Sequence, residues 1–374
     1  MPVNGSERSA ANLKMDIKKR IRGCLLGGAI GDALGAPVEF MCMREIEQHF
    51  GSGGITDYAP AYGQIGAITD DTQMTLFTAE GLLRAFVRET LKGICNVPSV
   101  VSHAYLRWLL TQGGSAASGM DIGPDGWLWD VRELHSRRAP GNTCLSALEA
   151  MQHFTNERAA NHSKGAGAIM RVAPVGLVFG RRGEDQSAAV FDLAKRISWI
   201  THGHPSGYLS AACFAVLIHY LMIGRPLEEG IHRARALLQP EPDSLETLDA
   251  IDHSLSHVRA GRSSDAALPS IGEGWVGEEA LGVAIYCASV APDFESAIRM
   301  AVNHDGDSDT TGSLVGQLFG TLYGEDALPK PWFRDLELRG TITEIADDLT
   351  EFPGWDLHSD DDSSDMIWKR YPGW

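Results

Sequence analysis

The sequence lacks most of the features that place a protein outside the soluble globular class. Its six cysteines (Cys24, Cys42, Cys95, Cys144, Cys213 and Cys287) are scattered, with no C-x-x-C pair. That usage gives no disulfide framework and fits reduced, buried thiols in a cytoplasmic protein. The stretch from Met1 to Asp16 is polar and has no apolar signal core. The longest apolar run, Leu209 to Ile223, contains His219 and is too short for a membrane span, so it reads as a buried helix. Positive charge is scarce: 32 Lys and Arg stand against 49 Asp and Glu, a formal net charge of −17. Such a field argues against non-specific binding to nucleic acid or to an anionic membrane. No alternating run is long enough for a convincing strand, and no repeat of 20–50 residues is visible.

What is present is a chain of 374 residues, 44% of them apolar, long enough to bury a core without disulfides. Apolar residues recur at three- and four-residue steps along most of it, which predicts an all-α fold. Helices are expected from Ile17 onward and at 72–88, 98–112, 143–155, 187–200, 206–223, 227–238, 243–260, 277–290, 293–303 and 309–323. Residues 1–16 read as a flexible arm and 17–374 as a single domain. Gly51 to Ile68 and Ala260 to Gly274 read as loops. The acidic tail carries Trp355, Trp368 and Trp374 and is expected to dock in part. Many of the 41 glycines sit beside alanine or serine, and small residues let helices approach closely.

Two acidic clusters carry the chemistry. Thr69-Asp70-Asp71-Thr72 and Asp305-Gly306-Asp307-Ser308-Asp309-Thr310-Thr311 each precede an apolar-patterned helix. Alone, either is what an ordinary capped helix start looks like. Together they offer enough carboxylate and hydroxyl oxygens for two hard cations. Three further segments stand out. Glu39 lies past a helix end, beyond Pro37, where a carboxylate could act as a general base or position water. The small residues Gly165, Ala166, Gly167 and Ala168 could expose backbone N–H groups to a pyrophosphate. His202 and His204 could bind metal, but hydrogen bonding to a ligand or to backbone is the better reading without a third ligand nearby.

In this order the segments resemble the ADP-ribosylglycohydrolase family. The matching pieces are GCLLGGAIGDALGAPVEF from Gly23, ITDDTQMT from Ile68, SKGAGAIMRVAPVGL from Ser163, THGHPSGYLSA from Thr201, GEGWVGEEAL from Gly272 and GDSDTTGSLVGQLFG from Gly306. The resemblance implies an orthogonal all-helical bundle with two Mg²⁺ or Mn²⁺ ions. It makes Thr69, Asp70, Asp71, Asp307, Asp309 and Thr310 the metal ligands, and places Glu39 beside the metals and the scissile bond. It also implies an acidic role for Asp121 near the distal ribose, a diphosphate cradle from Gly165 to Ala168, and a place for His202 near the ADP portion. Two departures are evident. Lys164 stands where the family's loop usually has asparagine, and the segment after Asp121 is long and Trp-rich.

The resemblance implies a metal-dependent hydrolase of ADP-ribosylated protein, with arginine as the favoured linkage and Glu39, Asp121 and Asp71 as its catalytic carboxylates. Serine-linked and O-acetyl ADP-ribose are the alternative substrates. An antidote that binds a cognate ADP-ribosyltransferase, as in toxin immunity, is the alternative from another class.

Overall fold

The computed structural model describes residues 5–120, 122–154, 157–359 and 361–373. Among them the chain forms α-helices and no named strand. The first five are α1 (Gly5–Gly35), α2 (Met43–Phe50), α3 (Asp70–Lys92), α4 (Val97–Thr111) and α5 (Asn142–Glu149). The middle of the chain holds α6 (Ala173–Gly180), α7 (Ser187–Ser198), α8 (Pro205–Met222), α9 (Leu227–Leu238), α10 (Leu245–Arg259) and α11 (Ser264–Ile271). The last six are α12 (Gly277–Val290), α13 (Phe294–Val302), α14 (Ser308–Tyr323), α15 (Lys330–Asp335), α16 (Arg339–Glu351) and α17 (Asp362–Arg370).

Local chemistry explains most of the boundaries. Thr69 caps α3 by accepting from the Asp71 N–H, and Gly93, at φ 69°, ends it. Asn96 caps α4, Asp293 caps α13, and His204 with Pro205 opens α8. One expected loop proves otherwise: Ala260 to Gly274 contains α11, which buries Ala267 and Leu268. The short apolar side of that helix was too brief to show a period. The helix expected over 143–155 stops at Glu149.

Helices α1 and α14 meet backbone to backbone. Gly23, Gly27, Gly31 and Gly35 recur every fourth residue, so they share one face of α1. They lie against Gly320, Gly316, Gly312 and Ser308 of α14, which therefore runs antiparallel. A Cβ at Gly31 would stand 1.9 Å from the Gly312 carbonyl oxygen, and one at Gly320 only 1.8 Å from that of Gly23. Hydrogen atoms alone permit this backbone contact. Helix α8 fills the centre beside them. By length and composition it could cross a membrane, but 94% of it is buried inside the protein. The tail packs back: Tyr371 is buried, donates to Asp348 and stacks on Trp355 at 5.5 Å, while Arg370 lies 3.8 Å over Trp127.

Gly31→Ala is expected to cost about 3 kcal/mol, the upper range for overpacking against rigid backbone. Gly53→Ala, with open space around it, should stay within about 0.5 kcal/mol. Urea denaturation of both variants checks this. Equal midpoints would show that the helix contact is looser than described.

Candidate active site

The glycine contact carries Asp32 and Glu39 toward the start of α14. Asp32 is completely buried and accepts hydrogen bonds from the Thr69 N–H at 3.0 Å, the Thr72 N–H at 3.1 Å and the Thr72 hydroxyl. One carboxylate on α1 thus anchors the first turn of α3. Asp70 is set from the other side. Its N–H donates to the Arg138 carbonyl at 3.1 Å, and its Oδ2 accepts from the Gly141 N–H at 3.0 Å. Arg138 is itself held by Glu337 and the Ile68 carbonyl.

The second acidic cluster meets the first directly. The Thr310 hydroxyl donates to Asp71 Oδ2 at 3.3 Å, across 239 residues of sequence. The Asp307 N–H donates to the Glu273 carbonyl at 2.8 Å, and Gly306, at φ 116°, supplies the turn that makes this possible. Asp70, Asp71, Asp307 and Asp309 are all buried, and Glu39 is 7% exposed.

Burial and mutual repulsion act together here. Burial first, then Asp309, lifts Asp32 to about 7. Burial first, then Asp309, Asp307, Asp70 and Asp32, lifts Glu39 to about 10. Asp70, Asp71 and Asp307 are likewise pushed well above the carboxylate range, chiefly by burial. Asp71 Oδ1 and Glu39 Oε2 are buried acceptors without any hydrogen-bond partner. Such oxygens call for a proton or a cation. Among the described residues, no three acidic, histidine or thiol side chains already close into a finished ion cage. The donor set nevertheless fits hard divalent cations: carboxylates and threonine hydroxyls, with orphaned oxygens in a dry setting.

The small-residue loop lies alongside. The Ala166 N–H donates to the Trp275 carbonyl at 3.0 Å, and the Gly277 N–H to the Lys164 carbonyl at 2.8 Å. Ala166–Ala168 forms a single 3-10 turn. A Cβ at Gly165 or Gly167 would lie 3.5 Å from His202 Nε2, so the imidazole sits directly under the loop. His202 Nδ1 pairs with the Thr201 hydroxyl at 2.9 Å. Burial, then the Arg171 charge, lowers His202 to about 3, so the ring is neutral. His204 instead caps α8 by accepting the Ser206 N–H, and the two histidines have separate duties. Lys164 is bound by Glu246 and Glu278. Asp121 lies outside the described residues.

Three site groups escaped the sequence reading. Asp32 is the one acid in the glycine-rich apolar stretch from Gly23 to Gly35, and that isolation was its signal. Arg171 is fully buried against the Tyr105 ring at 4.3 Å, Cys144 Sγ at 3.2 Å and the Thr201 hydroxyl at 2.5 Å. Tyr62, at φ 51°, presents its ring to the Arg138 guanidinium at 5.1 Å. Nothing in the local sequence marks the last two.

The sequence profile of the ADP-ribosylglycohydrolase family matches residues 13–357. The chain belongs to the ADP-ribosylglycohydrolase family. Among its relatives is the ADP-ribosyl-[dinitrogen reductase] glycohydrolase of Rhodospirillum rubrum, 28% identical over 86% of this chain and 92% of that one. The ADP-ribosylarginine hydrolase Tri1 of Serratia proteamaculans is 26% identical over 88% of this chain and 78% of its own. The human ADP-ribosylhydrolase ARH3 is 24% identical over 85% and 89%. A solved structure, titled an ADP-ribosylglycohydrolase-related protein complex, superposes with a TM-score of 0.63 at 25% identity. It covers 91% of this chain and 99% of that one. Membership makes this chain an ADP-ribosyl hydrolase, an enzyme whose substrate carries ADP-ribose.

A pH dependence follows for this ADP-ribosylglycohydrolase. Carboxylates raised in the folded state hold protons that the unfolded chain has already released near pH 4. Stability in chelator therefore falls as pH rises through about 7 for Asp32 and about 10 for Glu39. Thermal midpoints in EDTA should decline steadily from about pH 5 to about pH 9. A midpoint that climbs over that range contradicts the crowded, buried arrangement.

Proposed function

We propose that this ADP-ribosylglycohydrolase hydrolyses the N-glycosidic bond between ADP-ribose and arginine side chains of proteins, in the cytoplasm. The observation that carries the reading is the meeting of Asp71 with Thr310, which joins two distant acidic clusters around orphaned buried oxygens. Two divalent cations, Mg²⁺ or Mn²⁺, are the ligands proposed for Thr69, Asp70, Asp71, Asp307, Asp309 and Thr310. When bound, they supply positive charge that binds and polarises the hydroxyls of the distal ribose. The arginine linkage draws support from the names of the Serratia and Rhodospirillum relatives.

In this reading the chain's own residues orient and exchange protons. The loop Gly165–Ala168 receives the diphosphate, and neutral His202 holds it from beneath. Glu39 stands buried at the carboxylate centre, with Oε2 free to meet water. Water attacks the anomeric carbon, the carbon–nitrogen bond breaks, and its electron pair goes to the guanidine nitrogen. The guanidinium departs as neutral guanidine because it already carries its proton, so a base must activate the water and an acid must keep that proton on the leaving group. Glu39 and, on sequence grounds, Asp121 are the carboxylates assigned to these transfers, and Asp71 holds the centre together.

The test is release of ADP-ribose from arginine-modified protein with Mg²⁺, then with EDTA. Release only with metal, lost in Asp71→Ala and Asp309→Ala, is the expected outcome. Turnover in Asp71→Ala near that of wild type would remove the ligand assignment. Release from serine-linked substrate alone would replace the arginine reading. No release from any substrate, with tight binding to a transferase, would favour the antidote.

A further inference from the structure

Three aromatic rings stand in solvent around the mouth of the carboxylate centre, and the hydrolytic chemistry uses none of them. Phe40 follows Glu39 and is 74% exposed. It stacks on Trp275, 37% exposed, with ring centroids 5.8 Å apart and planes 17° from parallel. Trp275 is fixed close to the site from both sides. Its carbonyl accepts the Ala166 N–H, and a Cβ on the preceding residue, Gly274, would lie 3.5 Å from the Asp307 Cβ. The pair therefore bridges the gap between the Glu39 turn and the wall that carries Asp307.

Tyr62 forms another part of the rim. Its backbone is held at φ 51°, a left-handed conformation that bulky residues rarely adopt. The ring lies against the Arg138 guanidinium, whose backbone carbonyl accepts the Asp70 N–H. Burial, then Glu39, Asp309, Asp32 and Asp70, raises the Tyr62 phenol above its usual range, which agrees with a place at the acidic mouth.

We propose that Phe40 and Trp275, with Tyr62 beside them, form a platform that receives the cationic guanidinium of the substrate's modified arginine. This rests on the arginine reading given above. The argument is charge complementarity. Glu273 and Asp305 lie exposed on the same wall as the rings, outside the set proposed to hold the cations. Of the basic groups around this cleft, Arg138 and Lys164 are held by carboxylates and Arg171 is buried beneath the small-residue loop. A planar cation gains from an aromatic face and from the negative field of these exposed carboxylates, whereas an anionic group gains from neither. The rim already shows that pairing once, in Tyr62 against Arg138. Adenine is the competing occupant, and it lacks the charge this field favours.

The experiment compares wild type, Trp275→Ala, Trp275→Phe and Phe40→Ala. The probes are ADP-ribosyl-agmatine as substrate and free ADP-ribose as competitor. Trp275→Ala and Phe40→Ala should raise KM for ADP-ribosyl-agmatine about tenfold, the scale of one partly desolvated cation–π contact. ADP-ribose inhibition should stay within about twofold, and Trp275→Phe should recover most of the loss, because an aromatic face is all the platform requires. Weakening of ADP-ribose in parallel would hand the rings to adenine and overturn the proposal. An unchanged KM would overturn it as well. If wild type fails to cleave ADP-ribosyl-agmatine, the arginine reading falls, and calorimetry still decides the platform. Wild type must then bind ADP-ribosyl-agmatine more tightly than ADP-ribose, and Trp275→Ala must erase that difference.

Discussion

The backbone contact between α1 and α14 is the constraint on which the rest depends. Gly23, Gly27, Gly31 and Gly35 bring the two helices closer than any Cβ would allow. The separation matters because both helices deliver acids at the same end. Asp32 and Glu39 leave α1 where Asp307 and Asp309 enter α14. Side chains on either face would push those carboxylates apart and open the centre to water. Tight packing here serves the site as much as the core.

Gathering six buried carboxylates runs against electrostatics, and the fold spreads the strain over many partners. Asp32 is satisfied by two backbone N–H groups and a hydroxyl, and Asp70 by Gly141. Among these six, the buried oxygens left without a partner are Asp71 Oδ1 and Glu39 Oε2. A site whose supporting acids are hydrogen-bonded and whose central oxygens are free is arranged to receive positive charge without reorganising. Arg171 contributes a fixed charge from below, buried among sulfur, hydroxyl and aromatic partners. Burial, and after it this charge, keeps His202 neutral beneath the small-residue loop.

The all-α class was legible because amphipathic periods run through most of the chain, and a period of three to four needs no tertiary partner to be read. Both acidic clusters were legible as helix starts, and Thr69 does cap α3. Helix α11 was hidden because eight residues with two buried positions make no period. Asp32 was seen only as part of a glycine-rich segment. Its importance lies in what it grips, the first turn of α3, thirty-seven residues away at Thr69.

Sequence alone determined which residues are chemically able to act: acids beside threonines, small residues in a loop, glycines at every fourth position. These are local properties, carried by composition and spacing. Only tertiary structure decided which of them meet. Thr310 reaches Asp71 because α14 packs on α1 through the glycine face while Asp32 of α1 grips the start of α3. Phe40 finds Trp275, and Tyr62 finds Arg138, because loops from separate parts of the chain end at one mouth. Contacts between residues so distant depend on how the intervening helices pack, and no local pattern encodes that.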